Sequence, residues 1–404
     1  MSNTAQIIPA QPITQHGSYK VDVSRGEMKD TLSRQWWSRP DDERYTSLTA
    51  LRDATKRRYD ASTEQRVDNR AIELFTPELR TKEDTQKLLV GLPDGTENVF
   101  TNYAFGQTAG LAGAPAGYLR TLPSPLVADN LNYGLRYNRG VEQVKAYHHT
   151  GGGQLHAVTG PDYGRIPDYE MVEAVMQIAG DGDGSEGWKV PGVMEWSTGH
   201  YNPYVDVTKE NTTLFASDRD VFLFLVDDTR PIEVGKLADG SPDLMFRGFY
   251  AWNSEVGSRS YGVAAMYLRG VCMNRCLWGV ERFTEVKGRH SKNAPDRFMH
   301  EARPALRSFA EGSAETLIAG VDAAKAAKKA QDDDEALAFL KGRGFSKSKA
   351  AEIFETCERE EGRKPRSVWD FAQGITAVAR KEGNQDTRLD LEKNAGKLLD
   401  EIRV

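Results

Sequence analysis

Three cysteines and seven histidines in 404 residues, and no apolar run long enough to cross a bilayer, remove several classes of protein before any motif is sought. An odd and sparse set of thiols builds no disulfide framework and suits a reducing compartment. A membrane span needs about 18 consecutive apolar residues, and an export signal needs a basic region followed by an apolar core. The chain has neither, so a cytoplasmic protein without a membrane partner is expected. A general excess of positive charge is also lacking. With a formal net charge of −6, the molecule as a whole has no attraction for nucleic acid or anionic lipid, and any such binding must be local. No nucleophile–base pairing, complete metal set or nucleotide loop stands in the sequence, which argues against an enzyme.

What is present is a hydrophobic fraction of 39%, enough for a sizeable core in a chain of this length. Residues 1–34 are polar and without periodicity, and read as a mobile arm ahead of Trp36 and Trp37. Residues 35–140 read as a helical region. Asp41 to Arg58 opens with acids and ends with Lys56, Arg57 and Arg58, the polarity a helix dipole favours. Further helices are expected over Thr85–Leu92, Tyr103–Leu111 and Pro125–Leu135, with Gln107 and Asn132 as capping or core hydrogen-bonding groups.

A central α+β domain is expected over 141–320. VKAYHHT and QLHAVTG flank Gly151–Gly153 as a hairpin, with His148 and His156 sharing a face and His149 on the other; surface or packing roles suit these imidazoles better than metal ligation. An amphipathic helix follows over Pro167–Ala179. The DGDGSEG turn has Glu186 where a calcium loop needs glycine, and reads as an acidic surface turn. From Trp188 to Trp252 short β-forming runs alternate with turn residues, the pattern of an antiparallel sheet. Asp218, Asp220, Asp227 and Asp228 fall in its turns and are the best metal candidates; no cofactor is expected, with Mg2+ as the alternative. Leu244–Trp252 reads as a buried strand. Asn253 and Ser254 then read as the cap of a core helix carrying Val263, Met266, Tyr267, Val271 and Leu277, with Cys272 and Cys276 one turn apart as packing thiols.

Between Arg259 and Arg307 ten basic residues face four acidic ones, a local excess in an acidic chain. Arg259, Arg269, Arg275, Lys287, Arg289, Lys292 and Arg297 are the candidate nucleic-acid contacts, with Tyr261, Trp278 or Phe283 nearby for base stacking. An acidic break at Gln331–Glu335 follows an alanine-rich helix, and 321–404 reads as a small helical module. Within it LKGRGFSKSKAAEI partly matches a DNA-backbone-binding helix-hairpin-helix turn, but its alanine is displaced, so the match is taken as chance.

The runs TTLFASDRDVFLFL and FRGFYAWNSEVGSRSYGVAAMYLRGVCMNRCLWG, with FGQTAGLAGAPAGYLRTLP, GITAVAR and LEKNAGKLLD, resemble the DUF932 family of phage and plasmid proteins. The resemblance implies a mobile-element protein in the host cytoplasm and offers no catalytic residues. The expected function is a non-catalytic nucleic-acid-binding protein of phage replication or recombination, binding or annealing single-stranded DNA and able to oligomerise with itself. The alternatives are a metal-dependent enzyme acting on nucleic acid, or a host-takeover factor that binds a host protein.

Overall fold

The computed structural model describes residues 19–20, 39–77, 88–138, 142–190, 194–195, 200–201, 206–209, 212–236, 242–269, 275–276, 285–311, 315–379, 391, 394–395 and 397–399. The expected arm over 1–34, apart from Tyr19 and Lys20, lies outside these residues, as do Trp36, Trp37, Cys272, Trp278 and Phe283.

Short strands β1 (Tyr19–Lys20) and β2 (Arg44–Tyr45) precede α1 (Leu48–Asp60), where Ser47 accepts a hydrogen bond from the Ala50 amide and starts the helix. Asp41–Glu43 forms a separate 3-10 turn, so the expected helix begins seven residues later than its first acid. Next come β3 (Ser62–Asp68), β4 (Glu73–Phe75), β5 (Leu89–Gly91) and β6 (Glu97–Phe100). Then α2 (Asn102–Leu111), α3 (Ala116–Leu119) and α4 (Ser124–Tyr137) follow. The hairpin β7 (Gln143–His149) and β8 (Gly153–Thr159) completes a six-stranded sheet in the order β3-β7-β8-β6-β5-β4. Leu131 and Leu135 of α4 pack on Val144, Ala146 and Leu155 to form its core. The helix expected over Thr85–Leu92 is instead strand β5 where it is described, with Val90 paired to Leu74 on one side and Asn98 on the other. Only Val90 of the three is fully buried, a period of two that defeats the helical reading.

The second sheet holds eight strands. After α5 (Asp168–Ala179) come β9 (Trp188–Lys189), β10 (Met194–Glu195), β11 (His200–Tyr201), β12 (Leu214–Ala216), β13 (Val221–Lys236) and β14 (Pro242–Asn253). Then β15 (Tyr261–Arg269), β16 (Arg275–Cys276) and β17 (Glu285–Gly288) complete it in the order β16-β15-β14-β13-β12-β2, with β17 beside β15 and β9 beside β13. A third, small sheet joins β1, β11 and β10.

Here the core helix expected after Trp252 is overturned. β14 turns back at Asn253 and runs antiparallel to β15, from Trp252 opposite Gly262 to Met245 opposite Arg269. The small residues read as close helix contacts are the alternating members of a strand buried on both faces: Tyr261, Val263 and Ala265 enter the main core, while Gly262 makes room for the Trp252 ring. A Cβ on Gly262 would lie 2.4 Å from that indole.

α6 (Ala294–Arg297), a π turn over Phe298–Ala302, α7 (Arg303–Glu311) and α8 (Glu315–Ala326) follow the sheet. They lead to α9 (Asp333–Gly342), α10 (Lys347–Glu361) and α11 (Val368–Ala379). Leu306, Val321, Leu340, Ile353, Trp369 and Leu398 share one buried cluster with Leu223 and Leu225 of β13 and Phe249 of β14. The fold is thus α+β, with eleven helices among the described residues and two large, mostly antiparallel sheets.

Candidate functional site

Three connections meet at one end of the eight-stranded sheet: the turn 217–220, the turn 254–260 and the loop 289–293. Asp and Ser in the first behave as turn formers do. Ser217 Oγ donates to Asp220 Oδ1 at 2.9 Å and accepts the amides of Arg219 and Asp220 at 3.1 and 3.2 Å. The Asp220 carboxylate, almost wholly buried, is then held between Arg39 at 2.7 Å and Arg259 at 2.8 Å. Ser254 and Ser258 each donate a hydroxyl to the Arg219 carbonyl, at 2.6 and 3.0 Å, which ties the second turn to the first. The β15–β17 ladder ends at Tyr261 opposite Gly288, so Arg259 and Arg289 emerge at this same edge. His290 anchors the third loop: its Nδ1–H donates to the Gly164 carbonyl at 3.0 Å, and its ring stacks on Tyr163 with centroids 4.9 Å apart. Burial pushes this imidazole down to about 4.

Behind the turns lies a narrow crevice, too tight to admit a water-sized sphere, with Asp218 and Arg219 among the residues that line it. Its walls come from both sheets. Arg58, in the last turn of α1, donates to Asp168 Oδ2 at 2.7 Å and also to the Ser217 carbonyl. Asn253 Nδ2 donates to Asp168 Oδ1 at 2.8 Å, and Glu255 takes the Asp168 amide at 2.5 Å and the Tyr147 hydroxyl at 2.7 Å. Burial raises the Asp168 carboxyl well above the usual range, and the nearby Glu255 charge adds to this against the pull of Arg58. Burial and Glu255 likewise push the Tyr147 phenol far up.

His156 stands in the crevice because of a bulge. His148 pairs with Leu155 and Tyr147 with Ala157, so His156 is the extra residue of β8 and its side chain is re-aimed. The expectation that His148 and His156 share a face therefore fails: His148 is buried against Gln65 at 2.9 Å and Asp94 at 3.5 Å, whereas His156 meets Ser62 at 3.2 Å. Burial, with the Arg58 charge behind it, lowers His156 to about 4, so its ring is neutral near pH 7. Ser62 donates its own proton to the Arg58 carbonyl at 2.7 Å, so the contact with His156 uses the imidazole N–H. The donors and acceptors around the crevice largely satisfy one another, and what they achieve is to hold α1, β7, β8 and α5 against the end of the larger sheet.

Residues 205–399 match the family model described as a domain of unknown function, DUF932. This segment is a DUF932 domain. No curated protein and no solved structure matches the chain. The three connections at the sheet end belong to the DUF932 domain, while Arg58, Tyr147, His156 and Asp168 reach them from the half of the chain before it.

The candidate cations are divided by the DUF932 sheet. Arg259, Lys287, Arg289 and Lys292 gather at the end just described, the last three exposed. Arg269 and Arg275 stand at the opposite end of β15, eight residues and about 25 Å from Tyr261 at the rise of a strand. Arg297 lies on α6 and pairs with Glu301 at 3.2 Å. Of the stacking candidates, Tyr261 is buried in the core. The metal candidates are divided too: Asp218 and Asp220 precede β13, while Asp227 is buried seven residues on from Asp220, about 23 Å along the strand, and bonded to Arg230 at 2.6 Å. The Asp228 side chain lies outside the described residues. Among the described residues no group of three His, Cys, Asp or Glu is placed to hold a metal. Gln107 and Asn132 do serve as core hydrogen-bonding groups: Gln107 takes the Val158 amide and donates to the Val256 carbonyl, and Asn132 bridges the Leu74 amide and carbonyl.

Sequence reasoning missed Glu255, Asp168 and Tyr147. The available signal was Asn253-Ser254-Glu255 directly after an apolar strand: three polar residues where a core-facing turn begins.

Proposed function

We propose that the protein is a non-catalytic nucleic-acid-binding protein, with single-stranded DNA as the favoured ligand, of the kind used in phage DNA replication or recombination. The observation that carries this reading is the meeting of Arg259, Lys287, Arg289 and Lys292 at one sheet end, in an otherwise acidic molecule. Exposed cations release counterions from a phosphate backbone and give sequence-independent affinity. Their carriers are firmly set, Arg289 and Lys292 on either side of the buried His290 anchor and Arg259 on the Asp220 carboxylate.

The test is fluorescence anisotropy of a labelled oligothymidylate with the full chain and with the double variant Arg289→Gln, Lys292→Gln. Loss of two phosphate contacts is expected to weaken binding about tenfold or more near 0.1 M salt. Equal affinity of the two proteins contradicts the sheet-end contact, and no binding by either contradicts the reading as a whole.

A further inference from the structure

The segment LKGRGFSKSKAAEI, set aside on sequence grounds, folds as two helices joined by a tight turn. α9 ends at Gly342, residues 343–346 reverse the chain, and α10 starts at Lys347. Gly344 takes φ +90 with open space where a side chain would stand, and Gly342 is equally uncovered. Lys341, Arg343, Lys347 and Lys349 surround this turn, and from 341 to 349 there is no acidic residue. Lys341 and Lys347 are exposed, Arg343 lies over the Phe339 ring at 5.1 Å, and Lys349 reaches Glu352 at 2.9 Å.

The charges of this pair of helices are sorted by position. Asp333, Asp334 and Glu335 occupy the first turn of α9, where Asp333 binds Lys364 and Arg366. Those acids are about 15 Å from the turn at the helical rise, so they do little to screen it. The first turn of α10 has no acid and carries Lys347 and Lys349, the sign that a helix start disfavours. The turn is also held rigidly, since Leu340, Ala350 and Ile353 are buried in the main core and the Phe345 amide bonds back to the Leu340 carbonyl at 3.3 Å.

We propose that the α9–α10 turn is a second nucleic-acid contact, in which Lys341, Arg343 and Lys347 engage the phosphate backbone while the exposed glycine backbone lets it approach closely. This rests on the nucleic-acid reading above and assigns that reading a second surface, in a region distant in sequence from the sheet end.

The experiment uses the full chain, the triple variant Lys341→Gln, Arg343→Gln, Lys347→Gln, and the sheet-end double variant. Affinity for a labelled oligothymidylate and for a duplex of equal length is measured over a series of salt concentrations, with thermal melting as the folding control. The triple variant is expected to bind at least about tenfold more weakly near 0.1 M salt, with the slope of log K against log salt shallower by about two for single strands. A triple variant that binds like the parent while the sheet-end variant is weakened overturns the second contact and leaves the proposed function standing. Weakening of the triple variant alone supports the turn and removes the sheet end from the reading. No binding by the unsubstituted chain overturns both.

Discussion

Arg58 is one of the residues that tie the two halves of the chain together. It compensates Asp168, which is 1% exposed, and it bonds the carbonyl of the turn that begins β13. Removing Arg58 leaves a buried carboxyl and a backbone carbonyl without their donor, at a cost of about 1–3 kcal/mol for each. Arg58→Met should therefore destabilise the fold by about 3 kcal/mol, read from the urea midpoint, whereas Arg57→Met, one residue earlier on the exposed side, should have little effect. Two imidazoles give the molecule a pH dependence of definite sign. His156 and His290 are lowered from 6.5 to about 4, so the unfolded chain takes up their protons first as the pH falls. Their contribution is complete above about pH 6.5 and is lost between there and pH 4. Asp168, raised by burial, acts in the opposite sense and favours the folded state at low pH. The double variant His156→Gln, His290→Gln should accordingly show a smaller fall in melting temperature from pH 7 to pH 4 than the parent. At this scale the sequence was only partly legible. Asn132 and Gln107 announce their roles by standing among small apolar residues, but the crevice position of His156 depends on a bulge that no local pattern encodes.

Elements were legible where one face alone is buried. α1, α4, α5, α9 and α10 follow their amphipathic periods, and β7–β8 follows its glycine turn. β15 was not legible, because a strand covered on both faces presents the same dense mixture of small and large apolar residues as a core helix. The distinguishing contact is long-range: Gly262 lies under Trp252 and against the Val286 carbonyl. Gly262→Ala should thus lower stability by about 1–3 kcal/mol through overpacking, measurable by denaturant unfolding. Had Gly262 been on a helix surface, the same change would stabilise.

For the whole molecule, net charge misleads, because the arrangement of charge matters more than its sum. A chain of net −6 concentrates cations at the end of the DUF932 sheet and at the α9–α10 turn, while its acids serve as turn formers, helix starts and internal counterions. Composition excludes a generally basic protein without excluding basic surfaces. The separation of Arg259, Lys287, Arg289 and Lys292 from Arg269 and Arg275 at the two ends of β15 was not visible in the sequence, since it depends on the direction in which that strand runs.

The central claim is that those surfaces take up a phosphate backbone. The most direct measurement is the affinity of the full chain for a single-stranded oligonucleotide over a tenfold range of salt. The account predicts a linear fall of log K with log salt, with a slope steeper than about −2, as several phosphate contacts require. A flat line, or no binding at the lowest salt, would contradict it.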